Sequence, residues 1–188
     1  MTFTPDPKLL GFLGRRGSAS VSSSRGDESQ LAAARHGRFD FQRPCMVDLV
    51  IARMRVTNKK SLLEELARVS APLANLDRSS VLTALKERER IGCTGIGQGV
   101  ALPHARFSEL QRPVTIFVRL SAPIEYEAID GKRVDLVYLI LGPEIASDEH
   151  LKALASAARL LRDATARQDL RRAADEEAIG AILSGKAR

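Results

Sequence analysis

Hydrophobic and polar positions divide the chain into two unlike stretches. From Gly14 to Gln30 (GRRGSASVSSSRGDESQ) large apolar residues are almost absent, and Ser, Gly and Arg dominate. A segment with so little apolar surface cannot offset its ordering entropy, so residues 1–44 are expected to form a disordered basic tail. An organelle transit peptide shares the Arg/Ser bias, but Asp27 and Glu28 interrupt it. Beyond Cys45 the pattern becomes periodic and predicts one folded domain over residues 45–188. Residues 46–56 (MVDLVIARMRV) suit an edge strand. In Ser61–Ser70 the residues Leu62, Leu63, Leu66 and Val69 share a helical stripe, Ser61 and Glu64 fit a capping box, and Pro72 is expected to end the helix. Asp77 can cap a second helix that runs to about Arg90, with Val81, Leu82 and Leu85 inward.

The second half alternates strands and helices. Gly99–Leu102 is expected to form a short strand. Val114, Ile116, Val118 and Leu120 alternate with Thr115, Phe117 and Arg119, which is a strand pattern. Asp130-Gly131 signals a turn. Val134–Leu141 is nearly all apolar, as a central strand covered on both faces should be, and Gly142-Pro143 should stop it. Ser147, Asp148 and Glu149 open a long helix whose predicted stripe is Leu151, Leu154, Ala155, Ala158 and Leu161. Short helices are expected over Gln168–Ala173 and Asp175–Leu183, with Gly185 as the stop. Interleaved elements of this kind predict an α/β fold: a mixed β-sheet flanked by helices on both sides, in a single domain behind the tail.

Composition narrows the function. Aromatics make up 4% of the 188 residues and tryptophan is absent, so the core must be aliphatic. The net charge of +6 is shared unevenly: residues 1–44 hold 7 basic against 4 acidic side chains, and the remaining 144 hold 22 against 19. The domain is therefore nearly balanced, with no basic stripe or aromatic platform for nucleic acid. No apolar run approaches the ~20 residues of a membrane-spanning helix, and no secretory h-region opens the chain, so a cytoplasmic protein is expected. Cys45 and Cys93 form no CxxC or zinc pattern and are expected to be free thiols, with Cys93 a small buried filler.

The chemistry concentrates in Arg88–Arg106, RERIGCTGIGQGVALPHAR. Pro103 stiffens the backbone just before His104, glycines stand at 92, 95, 97 and 99, and an arginine stands at each end. A neutral imidazole is abundant near its unperturbed pKa of ~6.5 and forms a labile bond to phosphorus. Phosphoryl transfer is mostly positioning and charge stabilisation. Gly95, Gly97 and Gly99 could let backbone N–H groups approach phosphate oxygens, with the Thr94 hydroxyl beside them. Arg88 offers a guanidinium. His150 offers a second imidazole in the first turn of the long helix, where an anion is favoured. A metal held by His104 and His150 lacks acidic or cysteine partners, and the glycines lack GK[ST] and GxGxxG spacing, so neither metal nor nucleotide is expected.

The same stretch resembles the active-site signature of the mannitol/fructose-type enzyme IIA domains of the bacterial phosphotransferase system. The IDGKRVDLVYLILGP, HLKALASAARLLRD and DLRRAADEEAIGAIL segments resemble the family's central strand and C-terminal half, so the likeness spans about residues 46–184. It implies that His104 is phosphorylated on Nε2, with Arg88 and His150 in support, and that Cys93 replaces the serine usual there. It implies an HPr-like phosphocarrier as donor. With no IIB or membrane module in the chain, the nitrogen-regulatory subgroup is favoured, acting on regulatory target proteins. A sugar-specific IIA that passes phosphate to a IIB protein, and a binding module that no longer carries phosphate, remain as rivals.

Overall fold

The structure is a computed structural model that describes residues 47–144 and 147–185. The expectation of a disordered tail over residues 1–44, and Cys45 with it, lies outside the described residues. Six strands form one mixed sheet: β1 (Leu49–Met54), β2 (Gly95–Gly97), β3 (Val100–Ala101), β4 (His104–Phe107), β5 (Val114–Ile124) and β6 (Val134–Pro143). The sheet order is β1-β5-β6-β3-β2, and β4 also pairs with β6. β5 and β6 are antiparallel, β1 runs parallel to β5, and β3 and β4 run parallel to β6. The predicted α/β architecture is therefore present, with β1 at an edge and β6 in the centre.

Period-two alternation in β6 fills both faces. Val137, Leu139 and Leu141 meet α1 (Lys59–Ala74) and α2 (Arg78–Ile91) through Leu62, Leu66, Val81 and Leu85. Leu136, Tyr138 and Ile140 meet α3 (Ser147–Arg162), α4 (Ala164–Arg172) and α5 (Glu176–Leu183) through Ala157, Leu161, Leu170 and Leu183. Each fully buried leucine contributes about 1.5–3 kcal/mol, so the sheet is fixed from both sides. Gly142-Pro143 does not stop β6: Pro143 still pairs with Phe107.

Several helix boundaries differ from expectation. Asn58, not Ser61, caps α1; its side chain accepts the Ser61 N–H, and the Ser61 side chain returns the bond to the Asn58 backbone. The capping box thus sits three residues earlier than the Ser61/Glu64 pair. Pro72 lies inside α1, which continues to Ala74 and closes on Asn75 in the left-handed conformation. Pro72 has no N–H for the Arg68 carbonyl, yet the helix runs on for two more residues. Asp77, Asp163 and Asp175 cap α2, α4 and α5. The buried face of α3 is His150, Ala153, Ala157 and Leu161, whereas Leu151, predicted inward, is 55% exposed. Alanines bring α3 close to the sheet, and this rotation points His150 at β6.

β3 and β4 are one strand along β6, interrupted at Leu102-Pro103. Val100 and Ala101 pair with Leu136 and Val137; pairing resumes at His104 with Ile140. Pro103 has no N–H to donate to the ladder, although its carbonyl still accepts from Ile140 N–H. The break frees the Leu102 carbonyl to turn towards the side chain of His104.

Candidate active site

His104 opens β4 and is partly buried. Its Nδ1 lies 2.8 Å from the Leu102 carbonyl oxygen. A carbonyl can only accept, so Nδ1 carries the proton and Nε2 carries the lone pair. Nε2 accepts a 2.8 Å hydrogen bond from Arg88 Nε–H. Arg88 comes from the last turn of α2, and its Nη1 donates to the Gly92 carbonyl at 2.9 Å, which anchors the guanidinium to the end of its own helix. Burial holds the imidazolium form of His104 down; the Leu102 carbonyl opposes this, and the Arg88 and Arg106 charges add to it, leaving the pKa below the ordinary 6.5. The ring is neutral at neutral pH, and its Nε2 electron pair is held towards Arg88.

His150 stands in the first turn of α3, with its ring centroid 5.6 Å from that of His104 and the planes inclined at 53°. It is 1% exposed, and neither ring nitrogen has a hydrogen-bond partner among the described residues. Gly142 makes room for it: a Cβ there would collide with the imidazole Nδ1 and Cγ. Burial lowers the pKa of His150 to about 4, helped by His104 and Arg106, so this ring is also neutral. Arg106, two residues beyond His104 and therefore on the same face of β4, is exposed. It terminates the RERIGCTGIGQGVALPHAR stretch, yet its proximity to both rings follows from the β4–β6 register, which brings Arg106 opposite Gly142.

None of the remaining predicted residues hydrogen-bonds either imidazole among the described residues. Thr94 is buried, and its hydroxyl is committed to Glu89 and the Tyr126 hydroxyl. Gly95 and Gly97 form β2, packed against Ala128 and Asp130, and Gly97 and Gly99 adopt φ of 89° and 81° in the hairpin to β3. Gly99 abuts Asp135 and Arg171. Asp135 precedes the pairing partner of Val100, whereas His104 pairs four residues further along β6, so Gly97 and Gly99 are a strand segment away from the imidazole, while Gly95 pairs with Ala101 nearer to it. The structure thus brings His104, Arg88 and His150 together and uses the glycines to build the hairpin that leads into them. Cys93 is exposed rather than a buried filler, and its thiol donates to the Tyr126 carbonyl at 3.3 Å.

Among the described residues no group of three or more His, Cys, Asp or Glu side chains is placed to hold a metal ion. No helix among them is long and apolar enough to cross a membrane.

Known proteins carry the same arrangement of chain. A nitrogen regulatory protein of Bradyrhizobium diazoefficiens is 42% identical over 137 residues, 73% of this chain and 90% of that protein. The crystal structure of the nitrogen regulatory protein IIA-Ntr from Neisseria meningitidis superposes with a TM-score of 0.69 at 36% identity, covering 72% of this chain and 92% of the other. A complex of enzyme IIAMTL and phosphorylated enzyme IIBMTL from Escherichia coli shares the fold, with a TM-score of 0.61 at 16% identity over 72% of this chain and 94% of that one. Residues 44–186 match the family model described as phosphoenolpyruvate-dependent sugar phosphotransferase system, EIIA 2, and the chain belongs to that family.

Proposed function

We propose that this IIA protein is a regulatory phosphocarrier in which Nε2 of His104 accepts a phosphoryl group from a phosphohistidine on an HPr-like carrier. The observation that carries the reading is the pair of bonds on one ring. The Leu102 carbonyl accepts the hydrogen bond from Nδ1–H, and the Nε2 lone pair points at a guanidinium. In the transfer, the Nε2 electrons form the new bond to phosphorus as the donor's P–N bond breaks and its electrons return to the donor imidazole. Arg88 Nε–H, which now holds the lone pair, moves onto a phosphoryl oxygen, so the bond that orients the nucleophile becomes the bond that stabilises the developing charge. His150, neutral and with no hydrogen-bond partner among the described residues, can donate one ring N–H to a second oxygen. Arg106 adds positive charge at the open side of the pair.

The nitrogen-regulatory names of the similar proteins support a regulatory role over sugar uptake. Phosphorylated and free forms would present different charge on the surface around His104 to target proteins. A domain passing phosphate to a IIB partner would use the same site chemistry. The test is to incubate the chain with a phosphorylated HPr-like carrier and follow its mass. The expected result is a gain of one acid-labile phosphate, absent in His104→Ala. Retained labelling of His104→Ala would overturn the acceptor assignment, and rapid onward transfer to a IIB domain would overturn the regulatory one.

A further inference from the structure

Glu89 follows Arg88 directly and has a separate environment. Its side chain is 7% exposed. Oε1 accepts the Thr94 backbone N–H at 3.0 Å, and Oε2 accepts the Thr94 hydroxyl at 2.6 Å and the Tyr126 hydroxyl at 3.3 Å. Lys59, at the start of α1, places Nζ 2.8 Å from Oε1 and 4.9 Å above the Tyr126 ring. Burial pushes the carboxyl pKa up, but the bonds from Lys59 and Thr94 outweigh it and hold the group ionised, below its ordinary value. A buried carboxylate with this many donors is costly to assemble unless it fixes something.

What it fixes can be followed atom by atom. Glu89 clamps Thr94; the Thr94 carbonyl accepts the Leu102 N–H at 2.9 Å; the Leu102 carbonyl accepts the Nδ1 proton of His104. The same clamp closes the short loop from the end of α2 to Thr94, and that loop carries the Gly92 carbonyl holding Arg88 Nη1. We propose that Glu89 is a positioning residue for the transfer: through Thr94 it sets both the carbonyl that selects the tautomer of His104 and the carbonyl that anchors Arg88. This rests on the reading of His104 as the phosphoryl acceptor. Glu89 touches neither reacting atom, so its effect must pass through the ring and the guanidinium it positions.

The test uses Glu89→Gln in the full chain. Both carboxylate oxygens accept from Thr94 and neither donates, so an amide can satisfy one of those bonds and must oppose the other donor with its NH2. Nitrogen-15 spectra of His104, assigned with single histidine variants, report the tautomer directly, and potassium phosphoramidate serves as a small phosphoryl donor that bypasses protein docking. The expected result is a mixed tautomer at His104 and labelling slowed about tenfold, as for other partners one step behind a working histidine. Either an unchanged Nδ1–H tautomer or an unchanged labelling rate overturns the proposal. If Glu89→Gln does not fold, Thr94→Val, which removes the hydroxyl donor, is judged by the same two readouts, with Thr94→Ser expected to restore both. Failure of the acceptor reading is seen separately, as label that persists in His104→Ala.

Discussion

The two imidazoles of the site lie 5.6 Å apart and are held by opposite means. His104 is partly open, and both of its nitrogens are engaged, one by a carbonyl and one by a guanidinium. His150 is sealed at 1% exposure, and neither nitrogen is engaged among the described residues. Orientation at His104 therefore comes from hydrogen bonds, and orientation at His150 from packing over Gly142. An unpartnered buried polar group costs about 1–3 kcal/mol, and in the proposed transfer a phosphoryl oxygen arriving between the rings would give His150 a partner. The contrast is between a ring oriented by hydrogen bonds and a ring oriented by packing; in the proposed transfer the first would accept phosphorus and the second would meet the charge that arrives with it.

The comparison breaks most completely at the hydrogen-bonded ring. His104→Ala should abolish phosphate acceptance while shifting the melting temperature little, because the ring is not part of either apolar core; mass spectrometry and thermal unfolding check the two halves. Arg88→Ala should slow acceptance by roughly a hundredfold, the scale of losing one charge-stabilising donor. Arg88→Lys should not restore it, since an ammonium cannot bridge Nε2 and the Gly92 carbonyl as the planar fork does. Stopped-flow or quench kinetics measure both.

The packed ring can be disturbed without being replaced. Gly142→Ala would drive a methyl into the imidazole of His150. We expect it to slow acceptance by about tenfold, to the same rate as His150→Ala. A Gly142→Ala protein as fast as wild type would show that the position of this ring is immaterial.

The smallest effect sharpens the contrast through stability. The folded pKa of His150 is about 4 against an ordinary 6.5, so between those values the unfolded chain binds the proton first. Its contribution is fully present above the unfolded value and is lost as pH falls through this window, about 3 kcal/mol in all. His104, also lowered, adds in the same direction. Denaturant unfolding from pH 7 to pH 4 should show this decline, and His150→Ala should flatten most of it.

Much of this was legible in the sequence because the relevant signals are local. The apolar run Val134–Leu141 and the alternation in Val114–Leu120 carry their strand assignment in the order of residues, and Pro103-His104 marks the strand break. Arg88 and His150 were legible as residue types at element ends. The glycines were less so. A run of alternate glycines suits a phosphate cradle and a tight hairpin equally, and the choice is made by Ala128, Asp130, Asp135 and Arg171, far away in sequence. The face of α3 was misjudged because Leu151 is apolar yet exposed, while the close approach of the helix depends on Ala153 and Ala157. Asn58 and Ser61 compete with Ser61 and Glu64 for the same capping pattern, and the extended backbone at Asn58 decides between them.

The most direct test of the central claim is the identity of the nitrogen that bears the phosphate. In nitrogen-15-labelled protein phosphorylated by its carrier, phosphorus–nitrogen coupling should be found at Nε2 of His104, with Nδ1 still protonated against Leu102. Phosphorus coupled to Nδ1, or to a nitrogen of His150, would contradict the account.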